Sequence, residues 1–278
     1  MEPPNPWVAL PYLTPIVPNG FVPEMNNSPL TFRRTKRLAP CQGITLVQHN
    51  RLGSWDVFLS LLNSFVGLPP VDIVRLQDPP SRKGFLPKFA GFKSFHPLTP
   101  KPAVAVYVSL SFLSFYTVLP VASSSSADVF HLDIYTPSGC FGTGSPKFGL
   151  TNVYSRSLPG SIKLVDPPNA LPDVDSPCLA AGDFNIHNHA VDPLRVISRS
   201  GEKASTPYFD RATDLAYSQL NTPGVYTRFP LAGTFRPSAI DLAFANPLIR
   251  PAFMSWDATT LPSTWRSEEH TSELQSLV

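Results

Sequence analysis

Cysteine is scarce and scattered. Cys41, Cys140 and Cys178 are the three in 278 residues, with neither a C-x-x-C pair nor an even set, which excludes a disulfide framework and fits reduced, buried thiols in an intracellular protein. Net charge is nearly absent, +2 from 22 Lys+Arg against 20 Asp+Glu. Composition therefore announces no nucleic-acid partner, and any such contact must come from local placement. The opening stretch MEPPNPWVALPYLTPIVPNG lacks the basic start and unbroken apolar core of a secretory signal. One uncharged run has the length of a membrane span, Ala103 to Ala122. Its β-branched and aromatic residues, interspersed Ser109, Ser111 and Ser114, and Pro120 near its end predict two buried strands instead, so no membrane partner is expected.

What is present falls into three stretches. Residues 1–40 are rich in Pro and Asn and end near the basic cluster Arg33, Arg34, Lys36, Arg37, which reads as a poorly ordered leader with a solvated linker. From residue 41 short apolar runs alternate with turn residues: ITLVQHN, VDIVRLQD, AVAVYVSL, DVFHLDIY, FGLTNVYS, CLAAGDFN and SAIDLAFAN predict strands. Trp55, Phe58, Leu59, Leu62 and Phe65 recur at helical spacing after Ser54, and Phe209, Ala212, Leu215, Ala216 and Leu220 do so later. Many apolar strands with few helices predict an α/β protein of two packed sheets covered by helices. The third stretch, 265–278, is a tail.

Several strands close on polar groups that their pattern does not require: Asn50, Asp78, Tyr154, Asp183 with Asn185, and Asp241. Singly, each is explained as a turn residue or a rim tyrosine. Together, the wording LVQHN, LQDPP, NVYSR, GDFNIHN and SAIDLAFAN, in this order over about residues 43–264, resembles the endonuclease/exonuclease/phosphatase superfamily. It looks most like the endonuclease domains of LINE-type (non-LTR) retrotransposons, of the fungal branch.

The resemblance implies a deoxyribonuclease I-like, four-layer α/β sandwich of two mixed sheets flanked by helices, spanning residues 41–264. It also implies hydrolysis of a DNA phosphodiester with Mg²⁺ or Mn²⁺. By it, Asp78 and Asn50 would hold the metal; Asp183 would orient or deprotonate water; Asn185 and Tyr154 would donate to phosphate oxygens; Asp241 would hold a histidine; Ser238 and His187 would lie against substrate. Asp78 departs from the glutamate usual at this motif, one methylene shorter. His189 has no implied role. The parent would be a nuclear polyprotein carrying a reverse transcriptase.

After IDL the family runs through one more strand, AFMSWDATTLPST here, to a Ser-Asp-His. Beyond Thr264 this sequence has instead WRSEEHTSELQS, with His270 between Glu269 and Thr271. RSEEHTSELQS resembles the in-frame translation of a sequencing-library adapter, so residues 265–278 are expected to be non-native, the last strand of the fold truncated, and the site impaired. The alternative is a catalytically dead, DNA-binding or structural remnant. A lipid or inositol phosphatase of the same superfamily fits the wording less well.

Overall fold

The computed structural model describes residues 44–50, 70–81, 85–121, 126–136, 145–158, 161–228, 237–259 and 272–277, the backbone alone at 157–158, 252–259 and 272–277. The expected helix around Trp55 to Phe65, the leader with its basic cluster, Cys41, Cys140 and His270 lie outside the described residues.

Fourteen strands are described: β1 Ile44–Asn50, β2 Ile73–Gln77, β3 Phe92–Phe95, β4 Val104–Ser109, β5 Thr117–Pro120, β6 Val129–Tyr135, β7 Lys147–Tyr154, β8 Arg156–Leu158, β9 Ser161–Lys163, β10 Cys178–Asp183, β11 Ser218–Gln219, β12 Asp241–Ala245, β13 Phe253–Thr259 and β14 Ser272–Leu277. They form one six-stranded sheet in the order β13-β14-β1-β2-β4-β3, a second in the order β11-β12-β10-β7-β6-β5, and the hairpin β8-β9. Both large sheets are mixed: β1 runs parallel to β2 and β10 parallel to β7, with the other pairings antiparallel. Every run expected to be a strand is one.

The core follows from period-two alternation. Ile44, Leu46 and Ile73 of the first sheet and Phe130, Leu132, Ile134, Phe148, Leu150 and Leu179 of the second share one buried cluster, which places their faces against each other. The intervening residues face outward: Val47, Val74, Leu76 and Tyr107 form a separate cluster on the first sheet. Val153, Ala180, Leu242 and Phe244 do so on the second, under Tyr208 and Ala212 of the helix Arg199–Asp214.

The apolar run 103–122 becomes buried β4, a one-turn helix Leu110–Leu113 capped by Ser109, and β5, so of the two buried strands expected only the first is buried: β5 is an edge strand buried at Val118 alone. Among the described residues no helix is long and apolar enough to cross a membrane.

The later helix differs from its expected span. It runs from Arg199 to Asp214, starting at Ser198, whose hydroxyl accepts from Gly201 N–H, and Ala216 leaves it with φ 53°. Its first half, RSGEKASTP, is polar with a glycine and Pro207, so no apolar stripe announces it; Leu220 lies beyond it, next to β11.

The tail also differs. Ser272–Leu277 lies between β1 and β13, antiparallel to both, with Ile44 opposite Leu277 and His49 opposite Ser272. Pairing of this kind uses backbone N–H and C=O groups, which any extended segment carries, and it fills an edge that β1 would otherwise leave open. A tail expected outside the fold thus supplies backbone to it.

Candidate functional site

Two parallel pairs end at one place. Alternation from the inter-sheet residues Ile44 and Leu46 puts Gln48 and Asn50 on the inner face of β1; the same reasoning from Leu179 puts Ala181 and Asp183 on the inner face of β10. The strand ends meet there: Asn50 Nδ2 donates to Asp183 Oδ2 at 2.6 Å, between residues 133 positions apart. On either side of Asp183, in register, stand Tyr154 of β7 and Asp241 of β12. Gln48 Nε2 donates to Asp241 Oδ1 at 3.3 Å, a second link from the first sheet to the second. Asp78 directly follows Gln77, the register partner of Asn50. Asn50, Tyr154, Asp183, Asn185 and Asp241 are all buried, at 7%, 7%, 1%, 9% and 7% exposure, and Asp78 is half-buried. The structure thus gathers at one end of the sheets the six residues singled out at strand ends.

The Gly-Asp-Phe-Asn turn shapes the centre. Asn185 has φ 49°, in the left-handed region asparagine tolerates, and this turns its N–H back to Asp183 Oδ1 at 2.9 Å while its Nδ2 donates to Ser155 O at 2.5 Å. Asp183 thus accepts from Asn50 on Oδ2 and from the Asn185 N–H on Oδ1. Asn50 turns its NH₂ to Asp183, and its amide oxygen is the side-chain atom of the kind a cation takes. Asp78 leaves β2 with φ 45°, its N–H held by Ala103 O at 2.7 Å.

Gly182 sits one residue before Asp183 where β10 and β7 approach closely: a Cβ there would lie 1.9 Å from Val153 O. Asp241 is braced by Thr227, whose Oγ1 accepts from Ile240 N–H at 3.1 Å and Asp241 N–H at 3.0 Å, and by Asn221, whose Nδ2 donates to Asp241 O at 2.8 Å. Beside Tyr154, buried Asp128 takes Arg156 and, at 2.8 Å, Lys163 from the β8-β9 hairpin. Beneath the site a polar layer joins the sheets: Gln77 Nε2 donates to Asn152 Oδ1 at 2.6 Å, and Asn152 Nδ2 to Leu76 O and Ala105 O at 3.1 and 3.0 Å.

These supporting groups were not singled out in the sequence. A signal exists for two of them: Gln48 precedes Asn50 by two, and Asn152 precedes Tyr154 by two, each pair sharing a strand face. Thr227 and Asn221 carry no such signal.

Ser238 is 2% exposed and bridges Arg228 through its backbone. His187 is half-buried, and burial, then Arg195 and Arg228, lower its pKa to about 4. His189 is exposed, 3.7 Å from Glu202. Cys178, buried, has its thiol pushed up to about 11 by desolvation, as expected of an inert structural cysteine.

Among the described residues no three His, Cys, Asp or Glu groups cluster as a cation cage. Asn50 ends β1 and Asp78 follows the adjacent end of β2; amide and carboxylate oxygens are of the kind that Mg²⁺ takes.

No protein-family model matches the chain, and no curated protein matches it by sequence. Solved structures do. The chain is similar to the endonuclease domain of TRAS1, a telomere-specific non-LTR retrotransposon, at TM-score 0.62 and 14% identity, covering 84% of this chain and 98% of that one. It is similar to the AP endonuclease LMAP from Leishmania major at TM-score 0.61 and 11% identity, over 85% and 88% of the two chains. An AP endonuclease from Archaeoglobus fulgidus matches at TM-score 0.55 and 13% identity, over 84% and 99%. With two packed mixed sheets and flanking helices shared along nearly the whole of these neighbours, the chain has the deoxyribonuclease I-like α/β fold.

Proposed function

We propose that the chain is a metal-dependent phosphodiesterase, the DNA endonuclease module of a retrotransposon polyprotein, which nicks target DNA and exposes a 3′-hydroxyl for priming. The observation that carries this reading is the 2.6 Å hydrogen bond from Asn50 to Asp183, joining two sheets at a point where Tyr154 and Asp241 flank the same carboxylate. A similar fold in the endonuclease domain of a non-LTR retrotransposon supports the module.

In this reading Asp183, held on both oxygens by Asn50 and the Asn185 N–H, orients the attacking water and takes its proton. Tyr154 donates its phenol hydrogen to a phosphate oxygen as negative charge builds. Asn185 does the same with the amide hydrogen not engaged by Ser155. Asn50 and Asp78 would hold Mg²⁺ or Mn²⁺, which would supply positive charge against the phosphate. Asp241 is braced for a histidine; in this chain Gln48 donates to it.

The Ser-Asp-His that the resemblance leads one to expect does not occur in residues 265–278, and without that preorganised contact a rate lower by on the order of a hundred- to a thousandfold is expected. That absence favours a second reading, a DNA-binding remnant without catalysis. The two separate in a nicking assay on supercoiled plasmid. Slow nicking in Mg²⁺ or Mn²⁺ that stops with EDTA supports the nuclease; tight DNA binding with no metal-dependent nicking supports the remnant.

A further inference from the structure

The residues that follow Asn185 and those that precede Asp241 meet along one edge of the site, and that edge is basic. Phe184 N–H bonds Ile240 O at 3.0 Å, which ties the two segments together. Two residues past Asn185 stands His187, whose Nδ1 is buried with no hydrogen-bond partner among the described residues. Farther along the same segment Arg195 Nη1 donates to Pro237 O at 3.2 Å, one residue before Ser238. The cross-bridge partner of Ser238 is Arg228, joined to it by backbone hydrogen bonds of 2.8 and 3.0 Å. Two guanidinium-bearing residues and an imidazole therefore border the stretch that leads into Asp241. Both arginines also act electrostatically on His187, which supports their proximity.

The edge is built to keep Arg195 in place. Asp192 is 1% exposed, its two carboxylate oxygens make no hydrogen bond among the described residues, and its one ion-pair contact is Arg195 Nη1 at 4.0 Å. The Asp192 backbone is pinned by its N–H to Asn188 O at 2.9 Å, and neighbouring Val191 O accepts from Gly224 N–H at 2.8 Å. Held between this carboxylate and the Pro237 carbonyl, the Arg195 side chain still keeps 26% of its surface exposed. A restrained, partly exposed guanidinium loses little rotamer entropy on meeting an anion, and its planar fork matches phosphate oxygens.

We infer that Arg195, Arg228 and His187 form a second phosphate-binding subsite, which takes a backbone phosphate of the DNA strand beside the one cleaved. The inference rests on the nuclease reading and extends it to how the substrate strand is held. The separation suits it: two residues of extended chain, from Asn185 to His187, span at most about 7 Å, one to two nucleotide steps along a strand. Neutral His187 contributes an N–H donor; the arginines contribute charge. The contact is with the backbone, so it carries no base preference.

The test is fluorescence anisotropy with a labelled mixed-sequence duplex, titrated with the full chain across 50–200 mM KCl in EDTA so that no cleavage intervenes. Each phosphate contact adds about 0.9 to the magnitude of the log Kd against log salt slope. Arg195→Ala and Arg228→Ala are each expected to reduce that magnitude by about 0.9 and their double variant by about twice as much, with Arg195→Lys retaining most of it. Lys93→Ala, on the far edge strand β3, is expected to leave it unchanged. Circular dichroism and the melting temperature establish that each variant is folded. If the parental chain binds and the two alanine variants keep its slope, the subsite is wrong and the nuclease reading stands. If the folded parental chain does not bind duplex DNA at all, the nuclease reading falls and the subsite with it.

Discussion

Replacing Gly182 by alanine tests whether the approach of β7 and β10 sets the site. The new methyl carbon would lie 1.9 Å from Val153 O and 2.7 Å from both Val153 C and Val153 N, all backbone atoms. No rotamer relieves this, because the obstacle is the neighbouring strand itself. The strands must part by about 1.1 Å, the difference between 1.9 Å and the roughly 3.0 Å at which carbon and oxygen tolerate each other. Overpacking of this kind costs about 1–3 kcal/mol, and each ladder hydrogen bond lost about 1 kcal/mol more, so roughly 3 kcal/mol is expected.

With a urea m-value of about 1–3 kcal/mol per molar, the unfolding midpoint falls by about 1 M or more. The same opening separates Asp183 from Tyr154, the next pair in the register. Gly91→Ala is the comparison: its φ of +80° carries backbone strain, but nothing lies within 4 Å of the added carbon. Strain alone costs about 1 kcal/mol or a little more. A Gly182→Ala midpoint within about 0.3 M of the parent, or no lower than that of Gly91→Ala, would refute the steric reasoning.

Thr227→Val removes the acceptor shared by Ile240 and Asp241 N–H groups and leaves both buried, so urea unfolding is expected to show a loss of about 2 kcal/mol. His187 gives a pH signature: burial and two arginines hold its folded pKa at about 4, below the ordinary 6.5. Both states are neutral above pH 6.5; as pH falls towards 4 the unfolded chain takes a proton that the folded chain refuses, so stability drops through that window. His187→Gln should lose less stability than the parent between pH 7 and pH 5 in paired urea titrations. Calorimetric titration with Mn²⁺ is expected to show weak binding that Asp78→Ala abolishes; equal heats from both proteins would remove Asp78 from the metal site.

Much of this was legible because strands and site obey one rule. Runs such as ITLVQHN and CLAAGDFN are apolar on the buried face until the final residues, and the polar group that breaks the pattern, Asn50 or Asp183, sits where the strand reaches the edge of the core. That Asn50 and Asp183 touch was not legible: nothing in local sequence couples residues 133 positions apart, and only the stacking of two sheets brings them together. Of the helix Arg199–Asp214 only the second half was legible, since the first half is polar and the buried residues are Ser205, Tyr208 and Ala212. Thr227 and Asn221 were invisible for a different reason, as they act through backbone groups of β12 that no side-chain pattern reports. The pairing of Ser272–Leu277 with β1 has the same origin, being made by backbone rather than by a recognisable strand sequence.

The central claim, that these strand ends form one phosphodiesterase centre, is tested most directly by supplying a Ser-Asp-His after Thr264. Residues 265–278 are replaced by Gly-Ser-Asp-His-Val-Pro-Ile, and nicking of supercoiled plasmid in Mg²⁺ is timed against the unaltered chain. The account predicts a rate at least about a hundredfold higher, the scale of one regained transition-state contact, and no nicking when the graft also carries Asp183→Ala. A folded graft that nicks no faster than the unaltered chain, or as fast with Asp183→Ala as without it, would contradict the claim.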